Sequence, residues 1–362
     1  MPKKYRLLLL PVMFLMIGCN YDKQPNQSRT EQESSNFLSD NKLQYHGYFY
    51  KNDVLENSEE LKEIRKFANM LVFSTIKLDS ITPQMVRNYI DGDLNAIGDK
   101  GLKDIGRRID LLESMDYITV GEFPIGLIVQ YGTFEGYKKF LRDLKERVPQ
   151  FAKLDYLYFW DEPDINFIPG PDVLEKYIEE YKLVFPGTKI TTCYAIPAEG
   201  FADAIPPKNV DLLMIDPYFF TDETGENTPA NFEKYYRERL ALILDWINKW
   251  DMPYLMVGDA FGSITDEGKR FPSYEVSMWY YILAMTQESC NGLLWFQYGY
   301  LETPEMITGV SINDEDSTLI SLHKNIGDRI FGAPSVLGLP MEKKEPHVHE
   351  IIKQALELNS VK

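Results

Sequence analysis

The chain has 362 residues, enough for one large core. Its formal net charge of −17 repels phosphate backbones and anionic lipid headgroups, which excludes nucleic acid as a ready partner and charge as a means of membrane attachment. The three cysteines and four histidines show no zinc-site spacing, and no motif calls for a metal or an organic cofactor.

The chain opens with Lys3, Lys4 and Arg6, then runs almost wholly apolar from Leu7 to Ile17, and turns polar at once after Gly18-Cys19. A cationic start, a short apolar run and a small residue at the cut describe a secretory signal peptide. The run falls short of the roughly 20 apolar residues that a spanning helix needs. Met16-Ile17-Gly18-Cys19 resembles the lipobox of bacterial lipoproteins, with Met16 a less usual residue three places before the cysteine. The resemblance implies a signal over residues 1–18, cleavage before Cys19, a diacylglycerol thioether on Cys19, and export to the cell envelope with attachment to the membrane through that lipid. Residues 19–41 are rich in Gln, Ser, Asn, Asp and Glu, too polar to offset their ordering entropy, and read as a flexible tether. A coil of that length has an end-to-end distance of roughly 25 Å.

From residue 42 to 362, short runs rich in Val, Ile, Tyr and Phe alternate with longer amphipathic segments, the pattern of βα units. The predicted strands are Leu43–Tyr50, Asn69–Ile76, Pro124–Tyr131, Leu154–Asp161, Lys189–Ala195, Asp211–Tyr218, Pro253–Asp259 and Asn291–Tyr298. The second crossover, Asp79 to Phe123, is long and holds an extra helix between polar turns. Helical periodicity follows over Phe134–Val148, Leu174–Leu183, Phe232–Trp250 and Ser273–Glu288, then Thr318–Phe331 and a terminal Glu350–Leu358. Eight strands with helical crossovers predict an α/β fold, a single (β/α)8 TIM barrel. An open doubly wound sheet is the alternative, but it would carry a Gly-rich phosphate loop after its first strand, where this chain has Tyr50-Lys51-Asn52-Asp53. Cys193 and Cys290 lie in apolar strand runs and read as buried thiols more readily than as a disulfide. His347-Val348-His349 reads as a solvated, charged face.

Active sites of such barrels lie where strands end and βα loops begin. Strand 4 ends in Trp160-Asp161-Glu162-Pro163, strand 6 in Asp216-Pro217-Tyr218, strand 7 in Gly258-Asp259 and strand 8 in Trp295-Phe296-Gln297-Tyr298. Carboxylates and flat rings on one rim suit glycosidic bond cleavage, in which one carboxyl protonates the leaving oxygen and a second attacks the anomeric carbon or activates water. Strand alternation places only one of Trp160 and Asp161 towards the barrel axis, unless a bulge intervenes. Asp216 reads as structural, His46 as a core residue, Tyr48 as a candidate for the pocket base, and Glu302 as a reserve carboxylate.

Asp161-Glu162-Pro163 resembles the Asn-Glu-Pro of clan A retaining glycoside hydrolases, and Trp295 is similar to the tryptophan that floors their sugar subsite. The resemblance covers residues 43 to 300 and implies Glu162 as general acid, with Asp161, Tyr218, Trp295 and Tyr298 contacting a carbohydrate substrate. Asp161 stands where that clan has asparagine, and its charge would raise the Glu162 pKa. Asp259 stands where the clan has a glutamate nucleophile. Its shorter side chain leans towards inversion, whose carboxyls sit about 6.5–9.5 Å apart, rather than retention at about 5–5.5 Å. The competing expectations are a non-catalytic glycan-binding lipoprotein on a decayed barrel, and a structural envelope protein without a sugar site.

Overall fold

The computed structural model describes residues 43–76, 83–162, 170–195, 205–217, 249–265, 268–270, 289–299, 307–309 and 317–331, with single positions between 246 and 287. The barrel lies within the compact unit Asn41–Lys362. The signal, Cys19, the tether, Tyr218, Glu302 and the terminal helix expected at Glu350–Leu358 lie outside the described residues.

Eight parallel strands close into a barrel. They are β1 (Tyr45–Tyr50), β2 (Met70–Ser74), β3 (Ile118–Glu122), β4 (Tyr156–Asp161), β5 (Lys189–Ala195), β6 (Leu212–Asp216), β7 (Tyr254–Asp259) and, after two short strands, β10 (Cys290–Tyr298). The ring runs β1-β10-β7-β6-β5-β4-β3-β2 and is closed by the pairing of β1 with β10, Gly47 opposite Leu294 and Tyr48 opposite Trp295. Around it lie α1 (Ser58–Arg65), α2 (Pro83–Ile90), α3 (Gly98–Ser114), α4 (Ile125–Tyr131), α5 (Phe134–Arg147), α6 (Pro171–Val184) and α7 (Ser317–Ile330). The short strands β8 (Phe261–Thr265) and β9 (Gly268–Arg270) join β11 (Ile307–Gly309) in an antiparallel sheet that leaves the C-terminal end of β7.

Strand periodicity sorts the core into two layers. Phe49, Met70, Val72, Val120, Tyr156, Tyr158, Cys193, Met214, Val257 and Leu294 pack inside the barrel. Their neighbours Tyr48, Tyr50, Leu71, Leu157, Ile190, Leu213, Met256 and Trp295 pack outward with the helices. Strands buried on both faces are apolar nearly throughout, which is why most of them are legible as runs.

The third strand corrects the sequence reading. The apolar run 124–131 is not a strand but the start of helix α4, and β3 is the earlier Ile118–Glu122, paired to both β2 and β4. Along α4 the buried residues are Ile125, Ile128 and Val129, a spacing that turns one helical face inward. A short apolar run does not by itself distinguish strand from helix. The long second crossover holds α2, a 3-10 turn at Leu94–Ile97 and α3. Among the described residues, no helix is long and apolar enough to cross a membrane, and Cys193 and Cys290 are buried free thiols.

Candidate active site

The C-terminal ends of the strands gather carboxyl groups. Glu122 ends β3, Asp161 and Glu162 end β4, Asp216 ends β6 and Asp259 ends β7. Strand β4 reaches this arrangement through an irregularity. Its register with β5 shifts between Tyr158 and Trp160. Tyr158 faces the barrel interior, and the extra residue then turns Trp160 outward into the helical layer and Asp161 towards the mouth. The Tyr158 hydroxyl donates to Asp161 Oδ1, a bond that strict alternation along the strand would not allow. Asp161 is solvent-exposed at the lip, yet crowding by the surrounding protein raises its pKa, with the Glu122 charge acting in the same direction and the Tyr158 and Lys51 contacts opposing it.

Glu162 leaves the strand in the left-handed region, φ 46°, with its backbone N–H donated to Cys193 O at 3.0 Å. A non-glycine residue held there costs of order 1–3 kcal/mol, a strain that clusters at functional positions. Its side chain is half-buried and hydrogen-bonds Asp216. Burial raises the Glu162 pKa, the neighbouring Asp161 charge raises it further, and the Asp216 hydrogen bond draws it back. A hydrogen bond between two carboxyl groups needs a proton between them, so this pair stores one at the mouth.

Asp259 is fully buried, and the Tyr280 hydroxyl lies 2.8 Å from its Oδ2 and 3.0 Å from the Pro217 carbonyl. Next to it, a Cβ on Gly258 would fall 2.7 Å from the Trp295 ring, so only glycine lets strand and indole approach this closely.

The rings expected at the mouth are placed elsewhere. Trp295 is fully buried on the outer face of β10, where its N–H donates to His46 Nε2 at 2.9 Å and its indole stacks on His323 of α7 at 4.0 Å. Tyr48 points the same way, its hydroxyl 2.9 Å from His323 Nδ1. Tyr298 stacks on Tyr50 at 5.6 Å and donates to Glu60 Oε1 at 3.2 Å. All three belong to the layer between barrel and helices, one residue out of phase with the interior. The inward rings are Phe49 and Phe296, with centroids 5.4 Å apart, and Tyr158, 5.8 Å from Phe49. Phe296 keeps partial exposure and takes the position expected of Trp295. The alternation of His46, Tyr48 and Tyr50 against Gly47 and Phe49 was the available signal, because outward tyrosines on β1 put their partners on β10 outward too.

Sequence reasoning also missed Lys51. Its ammonium lies 3.3 Å from Glu122 Oε2 and sits over the rings of Phe296 and Phe49 at 5.6 and 6.0 Å. Beside these residues opens a cavity of about 450 Å³ between the ends of β2, β3 and β4 and helix α4. Among the described residues, no group of three or more His, Cys, Asp or Glu side chains could hold a metal ion.

Solved structures of beta-glucuronidases share this barrel. The Ruminococcus gnavus enzyme superposes with a TM-score of 0.50 at 10% identity, covering 79% of this chain and 50% of that one. Its complex with D-glucuronic acid gives 0.52 at 9% identity, with 79% and 49% covered. A beta-glucuronidase from an uncultured Clostridium sp. gives 0.50 at 12% identity, with 80% and 50% covered. The chain thus spans about half the length of these TIM-barrel glycoside hydrolases, and at this identity the likeness is one of fold. No protein-family model and no curated sequence matches it.

Proposed function

We propose that the chain is a glycoside hydrolase acting on an oligo- or polysaccharide at the cell envelope, with Glu162 as the general acid. The observation that carries this reading is the placement of Glu162: a half-buried carboxyl at the C-terminal end of β4, bonded to Asp216 and beside Asp161. A leaving oxygen has to be protonated near neutral pH, and burial with a like charge alongside holds a carboxyl towards its protonated form. The barrel shared with the beta-glucuronidases agrees with this chemistry. Phe296, inward and partly exposed, supplies the flat apolar face against which a pyranose packs. Asp259 is the proposed second carboxylate, and the Tyr280 hydroxyl bonded to its Oδ2 favours the ionised form that a nucleophile or base requires. The proposed attachment of the body is through lipid on Cys19, by the lipobox resemblance.

One observation favours a second reading, a non-catalytic glycan-binding barrel. Asp259 has no exposed surface, whereas an attacking carboxylate must reach the anomeric carbon or a water beside it. A glycan panel screened with the wild-type chain and with Glu162→Gln and Asp259→Asn separates the two. The hydrolase reading expects cleavage by wild type and a loss of about 10²–10⁴-fold in each variant. Binding of a glycan that wild type never cleaves would establish the second reading, and cleavage untouched by Glu162→Gln would remove Glu162 as the acid.

A further inference from the structure

The cavity between α4 and the ends of β2, β3 and β4 is walled by rings and polar groups together. Tyr131, Phe123, Tyr158 and Trp160 supply the flat apolar surfaces, while Ser74, Gln130 and the carboxyls of Glu122 and Asp161 converge on the same space. Its volume of about 450 Å³ lies within the range of small-molecule sites, and a mainly aromatic wall with a few placed polar groups is their usual lining. Tyr131 is 62% exposed at the C-terminal end of α4, far more open than the other tyrosines of the cavity wall. Gly126 brings α4 against the barrel, since even a Cβ there would meet the Trp160 ring at 3.3 Å. The cavity adjoins Glu162 through Asp161, the preceding residue.

We propose that this cavity is a subsite for a neutral or amino sugar unit flanking the bond at Glu162, and that it rejects uronic acids. The inference rests on the carbohydrate reading of the barrel mouth and adds a substrate class to it. Both charged residues of the lining are acids. The nearest cation on the rim, Lys51, is committed to Glu122 at 3.3 Å and to the faces of two rings, so no ammonium is presented to a sugar carboxylate. A sugar carboxylate entering here would meet two like charges in a partly desolvated space, whereas hydroxyls find acceptors in the same carboxyls and an ammonium finds counter-ions. Tyr131 would lie across the face of the ring. Glucuronic acid belongs to the complexes of the neighbouring structures, and this lining is unsuited to it.

The test is equilibrium binding to the full chain in detergent, with Glu162→Gln present to suppress turnover. The probes are a neutral gluco-oligosaccharide, a chitosan oligosaccharide and an oligogalacturonate. Neutral or amino oligosaccharides should bind, with oligogalacturonate at least about tenfold weaker. Tyr131→Ala should weaken the preferred class by about tenfold. Glu122→Gln removes one repelling charge and releases Lys51, so it should narrow the deficit for oligogalacturonate. Equal or tighter binding of oligogalacturonate, binding of none of the three, or indifference to Tyr131→Ala would each overturn the subsite. Cleavage that depends on Glu162 but not on Tyr131 would leave the hydrolase standing and the subsite refuted. Tyr131-dependent binding of glycans that the wild-type chain does not cleave would do the reverse.

Discussion

Acidification should weaken the fold through the histidines that close the barrel, and the size of the effect follows from His46. Trp295 Nε1 can only donate, so the 2.9 Å bond fixes His46 Nε2 as the acceptor. The proton of the neutral ring is then on Nδ1, which donates to Phe67 O at 2.6 Å. A second proton has no place to go, and complete burial lowers the His46 pKa from 6.5 to about 4. The folded chain therefore binds this proton less readily than the unfolded one. The stability tied to the neutral ring is fully present above pH 6.5 and is lost as pH falls towards 4. The loss is about 1.4 kcal/mol by pH 5.5 and about 3 kcal/mol by pH 4. His323, stacked on Trp295 and also lowered by burial, acts in the same direction. Asp161 and Glu162, whose pKa values are raised, act against it, because the folded state holds their protons more tightly. The contribution of His46 is isolated by comparing urea unfolding of wild type and His46→Gln at pH 7 and 5.5. The variant should be less stable at pH 7 and should lose about 1.4 kcal/mol less than wild type on acidification. Identical losses in the two proteins would refute the buried, neutral assignment.

The remaining expectations concern the site, a helix end and the leader. Asp161→Asn removes a charge that raises the Glu162 pKa, so the alkaline limb of the pH–kcat/KM profile should move to lower pH, and a limb that stays put would detach Asp161 from the acid. Thr133 caps α5 by accepting the Gly136 N–H at 3.1 Å, and Thr133→Ala should cost about 1 kcal/mol, measured as a lower urea midpoint at unchanged slope. Cys19→Ser should abolish incorporation of radiolabelled fatty acid in a bacterial host, and label retained by that variant would rule out Cys19 as the attachment point.

The fold was legible wherever a strand is buried on both faces. Lys189–Ala195 reads from the sequence with the bounds it has in the barrel, and seven of the eight strands lie within the predicted runs or differ by a residue at an end. The third failed because Ile118-Thr119-Val120-Gly121-Glu122 is short and half polar, while the following 125–129 is the more apolar run and lies in a helix. For the site, the rim positions of Asp161, Glu162, Asp216 and Asp259 follow from counting strand ends. The exposure of those groups does not follow from such counting. Asp259 is covered and Asp161 is open although both end a strand, because only β4 carries the register shift that swings its last residue outward to the lip. Lys51 went unseen since its role depends on β1 and β3 ending side by side at the rim across β2, a contact made between residues 71 apart in sequence.

The parity of β1 and β10 ties these observations together. These two strands close the ring, so their outward residues must seal the seam against α7, and they do so with large, hydrogen-bonded aromatics: His46, Tyr48, Trp295 and, from the helix, His323. Their inward residues have a different task, because at the open end of the barrel nothing covers them fully, and Phe49, Phe296 and the ammonium of Lys51 meet there. A one-residue slip in either strand would exchange the two sets. It would place the buried histidines in the mouth and the sugar-facing rings beneath the helices. The indole most conspicuous in the sequence is thus committed to stability, and the phenylalanine beside it is the ring available to a ligand. Substituting the two should accordingly separate the properties. Phe296→Ala should weaken glycan binding at nearly unchanged urea midpoint, and Trp295→Phe, which removes the donor to His46 and leaves its Nε2 unsatisfied, should lower the midpoint by the 1–3 kcal/mol that an orphaned buried acceptor costs, roughly, with binding preserved in whatever fraction stays folded.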